Sequence, residues 1–201
     1  MTEGKKLALL GRAELQSLKD VFASQIGDLY DAENRLAQAL PKMVDAAGSA
    51  ALKQAFEYHL SETEGHVSRL ETILRQIKVE PKRDACEVVK WLIAKGEETI
   101  RTTSDLNVKD GALIAGARRV QQYGIAGYGT ACKIAQQLGL IEAASLLQQT
   151  LNEEVAADLE LNQIAESSTA AAPGGRAPDH VRTADRRTFY LGRFRFYLGQ
   201  K

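Results

Sequence analysis

Apolar residues recur in steps of three and four along most of this chain, in long runs separated by clear breaks. From Glu14 to about Asp45 they fall at Leu15, Leu18, Phe22, Ile26, Leu29, Leu36, Leu40 and Met43, which is one face of a helix. Pro41 removes one backbone donor and is expected to bend the last turn without ending it. Gly48 and Ser49 then supply a stop and a helix cap. A second helix is predicted from about Ala50 to Ile77, with Leu52, Phe56, Leu60, Thr63, Val67, Leu70 and Leu74 on its stripe, and Pro81 closes that region. A shorter amphipathic helix around Ala85 to Ile100 carries Val88, Trp91 and Leu92. Asp110 is expected to cap a third long helix with the stripe Leu113, Ala117, Val120, Gly124, Gly127, Ala131, Ile134 and Leu138. After Gly139, a fourth long helix from about Ile141 to Glu166 carries Leu147, Leu151, Leu161 and Ile164. No segment alternates as a strand does, so the expected fold class is all-α.

Short breaks join the first long helix to the second and the third to the fourth, which predicts two antiparallel hairpins. A helix of about 28 residues is about 42 Å long, and the connection between the second and third long helices can cross that length. One long crossover carrying a short helix is the topology of a ferritin-like four-helix bundle.

Composition narrows the class. With 201 residues, 44% of them hydrophobic and 26% charged, the chain can bury a core as one domain. No apolar stretch approaches the roughly 18 residues that cross a bilayer. The run from Leu7 to Leu10 is too short for a secretory leader. Cys86 and Cys132 are the only cysteines, which excludes a disulfide framework and a cysteine metal cluster. A cytoplasmic protein is expected. No glycine-rich phosphate loop and no Gly-x-Ser-x-Gly nucleophile turn occurs.

Charge is balanced overall, at 26 basic and 26 acidic side chains, but unevenly placed. Arg176, Arg182, Arg186, Arg187, Arg193, Arg195 and Lys201 face only Asp179 and Asp185 in residues 167–201. The expected organisation is an N-terminal extension (1–12), a helical bundle (13–166) and a C-terminal tail (167–201). The tail opens with SSTAAAPGGRAP, a linker composition, then interleaves Arg with Phe189, Tyr190, Phe194, Phe196 and Tyr197. That pattern suits an acidic partner or nucleic acid, since Arg binds phosphate and aromatic rings stack on bases. A docking peptide and the remnant of a frame change or fusion fit it too. An unstructured or weakly interacting tail is expected.

The chemistry sits where the apolar stripes are interrupted. Glu33 lies four residues after Leu29 and three before Leu36. His59, Glu62 and His66 share one face of the second helix, at i, i+3 and i+7. Glu154 lies three residues after Leu151, with Asp158 one turn further on. An unpaired buried carboxylate costs several kcal/mol, so such groups persist when paired or metal-bound. Inward carboxylates and imidazoles from several helices are how bundles build two-iron or two-manganese sites. A rim glutamate whose stem packs while its head reaches water explains a single such residue equally. A core histidine can likewise be hydrogen-bonded rather than metal-bound. Glu57, Glu64, Glu71 and Glu153 are expected to face solvent. Tyr30, Tyr58, Tyr123 and Tyr128 are expected to be core hydrogen bonders.

Four segments carry a resemblance: DLYDAENRLAQALPKM, LKQAFEYHLSETEGHVSRLE, DGALIAGARRVQQYGIAGYGTACKIAQQLG and LLQQTLNEEVAADLELNQIA. From about Leu15 to Ala165 the chain resembles the YciE/YciF family of ferritin-like stress proteins. The most specific runs are Leu-Pro-Lys-Met at 40–43, His-Leu-x-Glu-Thr at 59–63 and Glu-Glu-x-x-x-Asp at 153–158. The resemblance implies a ferritin-like bundle, a homodimer, a role under stress and a metal centre of one or two iron or manganese ions. Carried over by position, the ligands are Glu33, His59, Glu62, Glu154 and Asp158. Where relatives read Glu-His-Tyr-Glu, this chain has Gln121, Gln122, Tyr123 and Gly124. Two divalent ions need about four carboxylates to offset their charge, so a complete dinuclear site is not expected. A site for one ion, a weak site and a metal-free hydrogen-bonded cluster of Glu33, His59, Glu62 and Glu154 all remain open, and His66, one turn beyond Glu62, is available to replace a lost ligand. The activity such a centre would carry is oxidation of Fe(II) by dioxygen or peroxide. The alternative is a non-enzymatic helical dimer acting through its surface or tail.

Overall fold

Local signals in the sequence set most of the helix ends. In the computed structural model, which describes residues 16–80 and 86–170, Ser17 caps helix α1 (Leu18–Ala46). Its hydroxyl accepts from the Asp20 amide at 3.2 Å and donates to the Asp20 carboxylate at 2.7 Å. The helix runs through Pro41 to Ala46. Ser49 caps α2 (Ala50–Ile77) by accepting from the Leu52 amide, and Lys78 ends it in the left-handed region at φ 56°. The shorter α3 (Glu87–Thr102) follows, then α4 (Leu106–Gln137) and α5 (Ile141–Ala170). Gly139, at φ 71°, makes the turn between the last two, where a side chain would be strained. Every described element is a helix, and none is long and apolar enough to cross a membrane. The chain divides after Ser168. The predicted extension at 1–12, Leu15, Pro81 and the Arg/aromatic segment all lie outside the described residues.

Asp110 does not cap α4. That role falls to Asp105, which accepts from the Val108 amide at 3.0 Å, so the helix starts a turn earlier than expected. Buried Asp110 instead reaches across the fold. Its two carboxylate oxygens accept from the amides of Gly48 (2.7 Å) and Ser49 (2.8 Å), which clamps the α1–α2 loop onto α4. The inward face of α3 also differs from the expectation. Val88 and Trp91 are exposed and Val89 is fully buried, because the true stripe continues through Leu92, Ile93 and Ile100 with Gly96 interrupting it. Cys86 anchors the start of α3: its amide donates to Asp31 on α1 and its thiol lies 3.1 Å from the Tyr123 hydroxyl on α4. Gly127 lets α1 approach α4, since a Cβ there would sit 2.8 Å from Leu29 Cδ2.

Two apolar cores result. One contains Phe22, Ile26 and Leu29 of α1, Leu70 and Ile73 of α2, Tyr128 and Ala131 of α4, and Leu147 and Leu151 of α5. The other contains Leu36 and Leu40, Leu52 and Phe56, Leu113 and Val120, Leu161 and Ile164, with Val89 of α3. Thus α1 and α5 run from the first core to the second, while α2 and α4 run the other way. Each long helix passes a polar stretch on its way between them.

The Asp110 clamp predicts a measurable asymmetry. Asp110→Ala leaves two amides without their carboxylate and should lower the unfolding free energy by about 2 kcal/mol in urea. Asp105→Ala, at an exposed cap, should lower it by only about 1 kcal/mol. Equal losses would mean that the clamp contributes no more than a surface cap.

Candidate functional site

Between the two cores lies a layer of buried polar residues: Glu33 of α1, His59, Thr63 and His66 of α2, Gln121 of α4, and Glu154 and Asp158 of α5. The stripes of the four long helices place them there, because each residue occupies a core-facing position between the apolar sets of its own helix. His66 is completely buried and stands at the centre. Its Nδ1 lies 3.4 Å from Glu33 Oε1 and 3.4 Å from Glu154 Oε1, while its Nε2 lies 3.0 Å from Glu153 Oε2. Glu153 is in turn gripped by Arg69 through both guanidinium ends, and Arg69 also donates to Thr150. This chain fixes the ring: Nε2 carries the hydrogen that Glu153 accepts, and Nδ1 faces the two buried carboxylates. The Tyr128 hydroxyl donates to Glu33 Oε1 at 2.7 Å, and its ring meets His66 edge-on at 6.0 Å between centroids.

One oxygen or nitrogen from each of Glu33, His66 and Glu154 can be chosen so that all lie within 4.8 Å of one another, a spacing that one metal ion can bridge. Several buried polar atoms in this layer have no hydrogen-bond partner among the described residues: Glu33 Oε2, Glu154 Oε2 and His66 Nδ1, with His59 Nδ1, Glu62 Oε2 and Thr63 Oγ1 beside them. Buried polar atoms without partners are costly, and these belong to residues of one neighbourhood. Two carboxylates and one imidazole form an oxygen-and-nitrogen donor set of the kind that suits iron, manganese or zinc, so the residues fit a divalent ion.

The predicted ligands divide into three groups. Glu33 and Glu154 meet at His66. His59 and Glu62 sit beside them, with His59 Nδ1 3.7 Å from Glu62 Oε2 and its Nε2 3.2 Å from the Gln121 amide nitrogen. In that contact Gln121 donates, so the His59 hydrogen lies on Nδ1. Asp158 is drawn elsewhere: Arg118 and Gln122 of α4 take its two oxygens at 2.9 and 3.0 Å. Glu153, expected in solvent, is only partly exposed and braces His66. Glu71, also expected there, is half-buried and accepts from Tyr30. Tyr58 is exposed rather than in the core. Gly124 faces the site, for a Cβ there would lie 3.1 Å from Glu154 Oε2. Glu154 therefore occupies the space that a side chain at 124 would enter.

Burial opposes charge on His66, but the carboxylates of Glu154 and Glu33 outweigh it and raise its pKa to about 10. Burial likewise opposes charge on His59, and Glu62, Glu154 and Glu33 still raise its pKa. The Glu154 pKa is raised by burial, with His66 pulling against the shift. Burial pushes the Tyr128 hydroxyl well above its ordinary range, and the Glu33 charge adds to that. The Glu153 pKa is lowered: burial works against this, and Arg69 overrides it. In the metal-free protein the cluster therefore holds a proton at neutral pH. Because the folded-state pKa of His66 exceeds 6.5, its stabilisation is complete below pH 6.5 and is lost as pH rises toward about 10. The melting temperature of the chelator-treated chain should fall across that window, and the fall should flatten in His66→Gln. A profile equally steep in the variant would assign the dependence to other groups.

The profile of the domain of unknown function DUF892 matches residues 17–172. Protein YciF of Escherichia coli (strain K12) is 40% identical over 152 residues, covering 75% of this chain and 92% of YciF. The crystal structure of that stress protein superposes with a TM-score of 0.75 at 38% identity, covering 79% of this chain and all of the other. YcfI of Rhodopseudomonas palustris matches with a TM-score of 0.71 at 34% identity, over 74% of this chain and 95% of YcfI. A two-domain protein of Anabaena variabilis that contains a ferritin-like domain matches at 15% identity and TM-score 0.54, over 89% of this chain and 44% of that one, a likeness of fold alone. On its sequence, its helices and its extent of match, this chain belongs to the YciE/YciF family, the DUF892 domain.

Proposed function

We propose that Glu33, His66 and Glu154 hold one divalent ion, iron or manganese, at the centre of a ferritin-like four-helix bundle, and that the protein serves in stress defence. The carrying observation is that Glu33, His66 and Glu154 each offer a ligand atom within 4.8 Å of one another, while Glu33 Oε2, Glu154 Oε2 and His66 Nδ1 have no partner among the described residues. The directions of α1, α2, α4 and α5 support the bundle, with the connection bearing α3 as its long crossover. The stress role comes from likeness to the stress protein YciF, and a cytoplasmic homodimer is part of the same proposal. A bound iron or manganese ion supplies a redox-active centre able to pass electrons to dioxygen or peroxide.

The chain's own residues perform the remaining tasks. Glu153, locked by Arg69, orients the His66 ring and keeps Nδ1 toward the carboxylates. Tyr128 holds one oxygen of Glu33 and leaves the other unpartnered. The apolar cores on either side exclude water. His59, Glu62 and Gln121 form the neighbouring wall, where Gln121 and Gly124 bring no carboxylate to a second ion.

A metal-free reading has one observation in its favour. A protonated His66 lies 3.4 Å from both carboxylates and can offset their charge without an ion. Elemental analysis of the full chain after anaerobic Fe(II) or Mn(II) loading and desalting separates the two. About one ion per chain is expected, falling below about a tenth in Glu154→Gln and in His66→Gln. About two ions would restore the dinuclear reading. No retained metal would make this a helical protein that acts through its surface or tail.

A further inference from the structure

A cavity of about 50 Å³ lies in the second apolar core, lined by residues of all five helices, including Leu36, Phe56, Ile93, Leu113, Val120 and Leu161. Its solvent end is marked by Lys42 of α1 and Glu97 of α3, paired at 2.6 Å and both exposed. Its inner end is marked by His59 and Gln121, both buried and bonded to one another. The His59 ring lies 6.3 Å from the His66 ring, so the cavity ends one ring away from the carboxylate cluster.

Two glycines in mid-helix border this space, Gly96 of α3 and Gly116 of α4. Neither has a positive φ, and a Cβ built on either would meet no atom within 4 Å. No turn and no close approach requires glycine there, and each weakens its helix relative to alanine. Protein interiors are ordinarily filled to crystal-like density. Here that filling is available without a clash and is absent.

The geometry points to an internal binding site for a small apolar molecule of the size of dioxygen, seated against His59 beside the cluster. The space corresponds to roughly four water-sized spheres, too little for a long chain or a ring system with substituents. Its walls are mainly hydrocarbon, and at the His59 end one ring nitrogen already bonds the Gln121 amide. A charged or strongly hydrated ligand would lose its water shell without replacement. A diatomic gas or a xenon atom has little hydration to lose and gains contact with the apolar side chains that line the space. Use of the site by a bound ion rests on the function proposed above; occupancy of the cavity does not.

Xenon and dioxygen serve as probes on the full chain without metal. Crystals under xenon pressure should show the atom between Leu36, Phe56, Leu113 and Val120. In solution under dioxygen pressure, the methyl protons of Leu36, Leu113 and Val120 should relax faster than those of Ile26 and Leu70 in the other core. Gly96→Leu and Gly116→Leu should fold at least as well as the parent and weaken xenon binding about tenfold. Absence of xenon from the parent, uniform relaxation in both cores, or undiminished binding in both variants would overturn the inference. Because both probes are read without metal, these failures stay distinct from a failure of the chain to retain iron or manganese.

Discussion

The fold is organised around an electrostatic problem: two carboxylates, Glu33 and Glu154, are buried together between two apolar cores and need a positive charge. His66 lies between them and can supply that charge as a proton, or it can present Nδ1 to an ion that does so. The supporting residues preserve this choice. Glu153 and Arg69 hold the far side of the ring, and Tyr128 holds one oxygen of Glu33. Any of these removed alone would leave a buried group without its partner, the situation in which single changes cost most.

The rest of the architecture keeps that layer rigid and dry. Each long helix contributes to both cores, so none can slide without disturbing packing on either side of the polar residues. Gly127 draws α1 against α4 close to the site, and the Asp110 clamp fixes where α2 begins. The register of His59, Thr63 and His66 along α2 is therefore set from its first turn. The short α3 closes the side of the second core, anchored at Cys86 to Asp31 and Tyr123.

Much of this was legible in the sequence. The helices α1, α2 and α5, and the inward direction of Glu33, His59 and Glu154, follow from spacing alone, because helical periodicity reports which residues share a face. Ser49 and Gly139 were recognisable from local backbone chemistry. What failed were features that depend on a neighbour. Asp110 has the residue type of a cap but serves another helix, while the cap is Asp105, five residues earlier. On α3 the apolar positions 88, 89, 91, 92 and 93 admit two phases, and only packing against α1 and α4 selects the one that buries Val89. Asp158 is buried as its spacing implies, but its bonds to Arg118 and Gln122 on α4 do not show in the spacing. His66 was visible as a substitute ligand, but its central place depends on where α1 and α5 put Glu33 and Glu154. Glu153 departs from its solvent-facing position because a helix face does not reveal that Arg69 and His66 will reach it.

The central claim is that an ion in this layer binds through His66 rather than His59. Pulsed electron paramagnetic resonance on the Mn(II)-loaded full chain, with histidine labelled in nitrogen-15, tests it directly. A bound Mn(II) coupled to one ring nitrogen is predicted, with the coupling lost in His66→Gln and retained in His59→Gln. Coupling that survives His66→Gln, or a chain that binds no Mn(II), would contradict it.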